Sequence, residues 1–225
     1  MKLATSTPFP HATIRCTSLT AINRKPAELI TLYAGESDVK FVVHKEFAYF
    51  YSPVLKAAFE SNFIEGQTQT YRLGDSTYRA VRVLSHWLYT QTLDTVPVEE
   101  INDRGLVQMQ ALLELWGLAD KLLIPKLQNM AIAGFHGTKM ESATVPVSCI
   151  KYIYNNAAAG SPLRLLVVDY CACFSGSGEY ARTPERFPHE MLVDLVTKFA
   201  GISNGRRSEV QALKDNFAKY LVEED

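Results

Sequence analysis

The chain has 225 residues, of which 47% are hydrophobic and 21% charged, a composition typical of a globular protein that can bury a core. Lysine and arginine number 23 and aspartate and glutamate number 24, so the net charge is close to zero. Proteins that bind nucleic acid need clustered cations to neutralise phosphates, so nucleic acid is not the expected partner. No apolar run approaches the ~20 residues that cross a bilayer, so we expect no membrane partner either.

The cysteines and the first segment indicate where the protein resides. Reduced thiols are the expected state of the four cysteines, which favours an intracellular protein, cytoplasmic, nuclear or both. Cys171 and Cys173 are a close pair without a second Cys or His cluster, so no metal site is predicted. Residues 1–27 contain three prolines and no sustained period, which predicts an unstructured arm. A transit peptide is the alternative for this segment.

Strand and helix patterns alternate in the first part of the ordered chain. Residues 28–34 (ELITLYA) and 39–43 (VKFVV) are β-rich runs joined by a short polar link with Gly35, which predicts a β-hairpin. Residues 46–51 (EFAYFY) predict a short aromatic helix. A second helix is predicted over 53–61, because Leu55, Ala58 and Phe59 recur at helical spacing.

The start of that second helix carries a capping pattern. Ser52 can accept a hydrogen bond from an orphan helical N–H, and Pro53 occupies a position that needs no N–H donor. Residues 69–73 (QTYRL) then alternate polar and apolar, which predicts a half-buried strand. A helix over 78–90 follows a turn at 74–77, and its expected buried stripe consists of Val81, Leu84, Trp87 and Leu88.

The rest of the chain shows helical patterns only. A long helix is predicted from about 106 to 123, with Leu112, Leu115, Trp116, Ala119 and Leu122 on its buried side. Pro125 should end it and begin a helix over 126–135, with a break bracketed by Gly134 and Gly137. Later segments are predicted as helices at 145–156, 162–174, 189–200 and 208–222, with an exposed loop at 175–188 and a capping box at Ser208-x-x-Gln211.

No catalytic signature is present in this sequence. Phosphate-binding loops, dinucleotide-binding glycine patterns, nucleophile elbows and zinc-protease motifs are all missing, so we predict no enzyme and no cofactor. His44, beside Lys45 at a strand end, is the one histidine worth weighing. It could act as a general base, or it could hydrogen-bond the backbone and fix the strand-to-helix bend. The structural role is the favoured interpretation.

The aromatic residues at 47–51 exceed what one side of a short helix can bury. Phe47, Tyr49, Phe50 and Tyr51 lie within five positions. Either the strands and later helices cover them, which is the favoured interpretation, or Tyr49, Phe50 and Tyr51 form part of a partner surface.

Seven segments in order resemble the BTB/POZ family, in particular its fungal members. They are FVVHK (41–45), YSPVLKAAF (51–59), NFIE (62–65), YRLGD (71–75), WLY (87–89), LADKLLIPKL (118–127) and QNMAI (128–132). The residues that carry the structural part of the motif are His44, Lys45, Ser52, Pro53, Phe59, Trp87, Tyr89, Ala119, Asp120, Lys121 and Pro125. The Thr/Pro-rich stretch before residue 28 matches poorly the N-terminal strand and helix that swap between partners in dimerising members.

The resemblance implies a fold and a function. The fold class is α/β (α+β): a BTB/POZ domain over 28–135 with a small mixed sheet flanked by helices, followed by an all-helical region over 138–225. The implied function is non-enzymatic protein–protein interaction. In family members that act as adaptors for cullin-RING ubiquitin ligases, an apolar–x–Glu segment docks on the cullin, which implies a contact at Phe63, Ile64 and Glu65. Phe63 could instead cover the core. The alternative function is a homodimerising scaffold or a transcription- or chromatin-associated regulator without a ligase.

Overall fold

A small sheet opens the ordered part of the chain. The computed structural model describes residues 28–93, 104–141, 145–174, 179–201 and 215–224. Strands β1 (Leu29–Ala34) and β2 (Lys40–His44) form the predicted antiparallel hairpin, and β3 (Thr70–Leu73) pairs with β1 in parallel. The strand order β2-β1-β3 makes a three-stranded mixed sheet, as the fold class predicts.

One face of the sheet is buried and the other is largely open to solvent. Alternate residues of β1 lie in the core, because successive side chains of a strand point to opposite faces. Leu29 and Val42 lie on the opposite face and remain about half exposed. The buried side consists of Ile30, Leu32, Ala34, Val43 and Leu73.

Three helices connect β2 to β3. They are α1 (Lys45–Tyr51), α2 (Pro53–Glu60) and α3 (Ile64–Thr68). Ser52 caps α2 as predicted, since its Oγ accepts a hydrogen bond from Leu55 N–H at 3.1 Å. The same hydroxyl donates to the carbonyl of Leu122 at 2.7 Å, 70 residues away, so one buried side chain joins two helix ends. The sequence patterns did not predict α3.

The helix over residues 78–90 is confirmed without a shift of bounds, as α4 (Tyr78–Thr90). Thr77 caps it by accepting a hydrogen bond from Ala80 N–H at 3.2 Å. Its predicted stripe of Val81, Leu84, Trp87 and Leu88 is fully buried. The α4 helix therefore closes the core over the sheet.

Two long helices follow, and one predicted break is wrong. Helix α5 (Arg104–Lys121) ends as expected before Pro125, where α6 (Pro125–Glu141) begins. The α6 helix continues through Gly134 and Gly137, although we predicted an interruption there. A Cβ at Gly134 would lie 3.2 Å from the Leu112 side chain, so this glycine allows α5 and α6 to pack closely. That packing offsets the ~1 kcal/mol that glycine costs inside a helix.

The C-terminal region is helical but departs from the prediction at two places. Residues 179–186 form short helical turns where we expected only loop, and Phe187 behind them is buried. Residues 217–220 form a single 3-10 turn, so the predicted helix does not reach residue 222. The Ser208-x-x-Gln211 box lies outside the described residues. The elements are α7 (Val147–Asn156), α8 (Pro162–Phe174), α9 (Glu179–Arg182), a 3-10 turn (Pro184–Arg186), α10 (His189–Gly201) and the C-terminal turn (Phe217–Tyr220).

The buried residues form one cluster that includes both the sheet and the late helices. It extends from Ile30 in β1 to Tyr220 in the C-terminal turn. Helix α7 contacts α5, and α8 contacts α7, α10 and the C-terminal turn. The residues on either side of the predicted boundary at 135–138 belong to one continuous helix.

Candidate protein-interaction surface

The segment Phe63–Glu65 projects two large apolar side chains into solvent. Phe63 is 75% exposed and Ile64 is 65% exposed, while Glu65 is partly buried. Phe63 stands at the N-cap of α3, and the next two residues form the first turn of that helix. The interpretation in which Phe63 covers the core is therefore wrong. What remains is an exposed apolar pair beside a carboxylate.

Local hydrogen bonds hold this segment against the end of α2. Ser61 Oγ donates to the carbonyl of Ala58 at 2.6 Å and accepts from Phe63 N–H at 3.2 Å. Gln69, in the left-handed region with φ of 52°, donates from Nε2 to the carbonyl of Gly66 at 2.6 Å. Gln67 Nε2 donates to the carbonyl of Asn62 at 2.8 Å. The backbone that carries Phe63 is thus bonded on both sides.

Gly66 allows the close approach of α3 to α2. A Cβ at this position would lie 1.9 Å from the carbonyl oxygen of Ser61 and 3.3 Å from that of Phe59. Both neighbours are backbone atoms, which cannot rotate away. Only glycine fits here without moving one helix relative to the other.

Some aromatic residues of α1 pack against α4, and others reach the surface. Tyr51 packs on Trp87 with ring centroids 4.9 Å apart, and Phe47 packs on Tyr89 at 4.9 Å. Phe50 is 56% exposed, so part of the cluster does reach the surface. Tyr49 is partly buried beneath the ammonium group of Lys45, which lies 5.4 Å from its ring centroid.

His44 and Lys45 make contacts that stabilise the strand-to-helix bend. The Tyr89 hydroxyl lies 2.9 Å from His44 Nδ1 and accepts a hydrogen bond from His44 N–H at 2.9 Å. Lys45 Nζ pairs with Glu28 at 2.8 Å, and this hydrogen bond raises the pKa of Lys45. Both side chains therefore tie β2 to neighbouring elements. These contacts support the structural role, although the partner of His44 is a side chain and not the predicted backbone carbonyl.

The remaining motif residues pack or pair around the helix ends. Ala119 is fully buried and Phe59 nearly so. Asp120 accepts a hydrogen bond from Gln128 Nε2 at 3.0 Å, which joins α5 to α6. Lys121 pairs with Asp75 at 3.3 Å, and Pro53 and Pro125 begin α2 and α6.

The described residues show no metal-binding cluster. No group of three His, Cys, Asp or Glu side chains in them is placed to hold a metal ion. Burial raises the pKa of Cys149 to about 11, so that thiol stays protonated and is a poor nucleophile. Among the helices described, none is both long enough and apolar enough to cross a bilayer.

A comparison with protein families decides the nature of the first part of the chain. Residues 30–131 match the family model of the BTB/POZ domain. Residues 30–131 are a BTB/POZ domain. BTB/POZ domains mediate protein–protein interaction and dimerisation and are generally not enzymes, so this part of the chain is a protein-interaction module. No curated protein sequence matched the chain. The likeness to fungal members stays a prediction.

Sequence patterns missed a polar clamp between the BTB/POZ domain and the residues that follow the C-terminal turn. Asn129, in α6, donates from Nδ2 to the carbonyl of Val222 at 2.8 Å and accepts from Val222 N–H at 2.8 Å through Oδ1. Its Nδ2 also donates to Glu224 at 2.7 Å. One amide side chain thus pairs with backbone 93 residues away, as a neighbouring strand would.

A second missed group centres on Asp169 in α8. This carboxylate is 8% exposed and accepts hydrogen bonds from Lys219 at 2.9 Å and from the Tyr220 hydroxyl, and it pairs with Lys198 at 3.0 Å. Burial alone would raise the pKa of Asp169, but the three donors offset burial and hold that pKa below its usual range. The cluster joins α8, α10 and the C-terminal turn.

Proposed function

We propose that this protein is an adaptor of a cullin-RING ubiquitin ligase whose BTB/POZ domain binds the cullin through Phe63, Ile64 and Glu65. The exposure of Phe63, at 75%, is the observation that carries the proposal. A buried aromatic anchor beside a polar rim is the usual composition of an interaction hot spot. Here the anchor is uncovered in the isolated chain and is available to a partner.

The fixed backbone of this segment also favours binding. Single exposed apolar residues are common on protein surfaces and need no explanation. Phe63 and Ile64 differ because they are adjacent, and hydrogen bonds with Ser61 and Gln69 hold the backbone around them. A contact that is already ordered loses less conformational entropy on binding, so a small interface can suffice.

The target would bind elsewhere on the chain. The exposed ring of Phe50, with Tyr49 and Tyr51 beside it, offers a second aromatic surface. The helical region over 138–225 offers a third, since Val193, Val196 and Phe199 of α10 are exposed. An adaptor needs such a surface apart from its cullin contact.

A pull-down with purified cullin tests the proposal. The double substitution Phe63→Ala/Glu65→Ala should weaken cullin binding about 30-fold or more, because truncation of a hot-spot residue costs about 2 kcal/mol or more. The free energy of unfolding should change by less than about 0.5 kcal/mol, because Phe63 is mostly exposed and Glu65 only partly buried. Binding would be measured by surface plasmon resonance and stability by urea unfolding.

A matched control distinguishes a specific contact from a general loss of surface. Phe199→Ala/Glu185→Ala likewise removes one exposed aromatic ring and one carboxylate, but from α10 and the turn before it. This control should bind the cullin as the unchanged chain does. Equal affinity of both double variants would exclude the proposed contact.

A homodimerising scaffold is the second candidate, favoured by the edge of the sheet. Strand β2 has β1 on one side, and Val42 within the strand and Val39 just before it are about half exposed. An edge strand with unpaired backbone groups and apolar side chains can pair with another chain.

If the chain dimerises through this edge, we expect sedimentation equilibrium to show a dimer that Val42→Lys converts to a monomer. Val193→Lys, with equal exposure on α10, serves as the control. A monomer across a wide concentration range would rule this candidate out.

A further inference from the structure

A cavity of about 410 Å³ lies between α8, α10 and the C-terminal turn, as defined by the described residues. Its walls include Arg164, Leu165 and Val168 from α8, Thr197 and Lys198 from α10, and Lys219 from the turn. The volume lies within the range of about 300–1,000 Å³ that is usual for small-molecule sites. The exposure of Leu165 and Thr197 shows that the cavity opens to solvent.

The carboxylates of this cavity are already engaged by protein donors. Asp169 binds Lys219, Lys198 and Tyr220. Asp194, also in the wall, accepts a hydrogen bond from the Tyr154 hydroxyl at 2.8 Å. A cationic ligand would compete with these donors, so the acidic groups offer it little.

The cationic groups retain capacity for a ligand. Lys219 carries three N–H donors, and one of them bonds Asp169 at 2.9 Å. Arg164 is buried, and its charge is paired with Glu190, which is itself mostly exposed. Its Nη2 donates to the carbonyl of Tyr154 at 2.7 Å, and Nε has no hydrogen-bond partner within the described part of the chain. The cavity wall carries three cationic side chains, Arg164, Lys198 and Lys219, against the two carboxylates of Asp169 and Asp194, and this excess of positive charge favours an anion.

The apolar part of the cavity wall indicates that a ligand should also carry an apolar group. Leu165 and Val168 face the cavity from one side of α8, and Leu165 is half exposed. An apolar group bound against them would remove this surface from water, which is favourable in proportion to its area. An inorganic ion alone would leave this apolar surface exposed to water.

We propose that this cavity is a binding site for a small organic anion with an apolar body, its charged head beside Lys219 and its body against Leu165 and Val168. The site lies in the helical C-terminal region and uses none of the residues of the cullin contact. It lies between α8 and the C-terminal turn, and the residues after that turn are hydrogen-bonded to Asn129 of the BTB/POZ domain. A bound anion would therefore stabilise the docked position of that turn.

Phenyl phosphate is a suitable probe, because it combines a phosphate head with an aromatic ring. Titration of the full chain by isothermal calorimetry should give one saturable site with a dissociation constant below about 1 mM. Lys219→Met should raise the dissociation constant about tenfold. Inorganic phosphate should bind more weakly, because it lacks the ring, and benzyl alcohol should not bind, because it lacks the charge.

The control for charge is Lys121→Met. Lys121 is also a half-exposed lysine paired with an aspartate, but it lies at the end of α5. Its loss should leave phenyl phosphate binding unchanged. A second test variant, Leu165→Asp, changes an exposed position that the fold tolerates and should also weaken binding. The proposal is overturned if phenyl phosphate shows no saturable binding up to about 10 mM. The proposal is also overturned if neither Lys219→Met nor Leu165→Asp weakens phenyl phosphate binding, or if inorganic phosphate binds as tightly as phenyl phosphate.

Discussion

Asp169→Asn is expected to lower the free energy of unfolding by about 2–3 kcal/mol at pH 7, because hydrogen bonds to a charged acceptor are worth about 1.5–3 kcal/mol and several are changed at once. The substitution keeps the shape of the side chain but removes the charge that Lys198 and Lys219 pair with. The Tyr220 hydroxyl, which is buried, loses its charged acceptor. Urea unfolding monitored by circular dichroism would measure the loss.

The same substitution should reduce the acid sensitivity of the fold. Because Asp169 has a lower pKa in the folded chain than its ordinary value of 3.8, its ionised form stabilises the fold. That stabilisation is fully present well above pH 3.8 and is lost as the pH falls through the lower, folded pKa. The stability difference between the native chain and Asp169→Asn should therefore be constant near neutral pH and shrink below about pH 4.

Asp75→Asn provides the comparison for this experiment. Asp75 also pairs with a lysine, Lys121 at 3.3 Å, but both side chains are largely exposed. Exposed pairs contribute about 0–1 kcal/mol, so this variant should unfold almost as the native chain does. If Asp169→Asn were as mild as Asp75→Asn, the cluster around Asp169 would not hold the C-terminal turn.

Patterns within a few residues predicted the first part of the fold well. The hairpin followed from two β-rich runs with a glycine turn, and the cap at Ser52 followed from its Ser-Pro pair. The stripe of α4 appeared at helical spacing and is buried as expected. Each of these features depends on neighbours in sequence, which is why the sequence alone sufficed.

Features that depend on tertiary packing were missed or predicted wrongly. The sequence predicts a break at Gly134, but this glycine lies inside α6 and permits contact with Leu112, which is distant in sequence. Helix α3 has only five residues and begins with an exposed pair, so it has no amphipathic period to detect. The turns at 179–186 and the short turn at 217–220 likewise depend on contacts with α8, such as Tyr180 to the Cys171 carbonyl.

The candidate sites likewise divide into residues that the sequence could point to and residues that only tertiary packing brings together. The family resemblance predicts a contact at Phe63, Ile64 and Glu65, and the structure adds that the first two are exposed and that hydrogen bonds hold the backbone around them. Asp169 and Lys219 are 50 residues apart, and Asn129 and Val222 are 93 apart. Sequence patterns extend over a few residues and cannot connect such pairs. Only the folded structure shows that these side chains are in contact.

Gly66→Ala is the second large effect expected, a loss of about 3 kcal/mol of unfolding free energy. The new Cβ would stand 1.9 Å from the Ser61 carbonyl oxygen, far inside contact distance, and this oxygen belongs to the backbone and cannot rotate away. Helix α3 must therefore move away from the end of α2. Because the hydrogen bond from Gln69 to the carbonyl of Gly66 depends on this approach, the turn into β3 is disturbed as well. Thermal and urea unfolding would report the loss.

Gly74→Ala is the matched control for this glycine. A Cβ at Gly74 would have no neighbour within 4 Å, so its stability should change by less than about 0.5 kcal/mol. If the proposed cullin contact is correct, Gly66→Ala should also weaken cullin binding in the folded fraction, because Phe63 and Ile64 move with α3. Gly74→Ala should bind normally. Full stability of Gly66→Ala would contradict the close approach of α2 and α3. Loss of stability with unchanged cullin affinity would place the contact outside α3, since a displaced anchor cannot bind as the native one does.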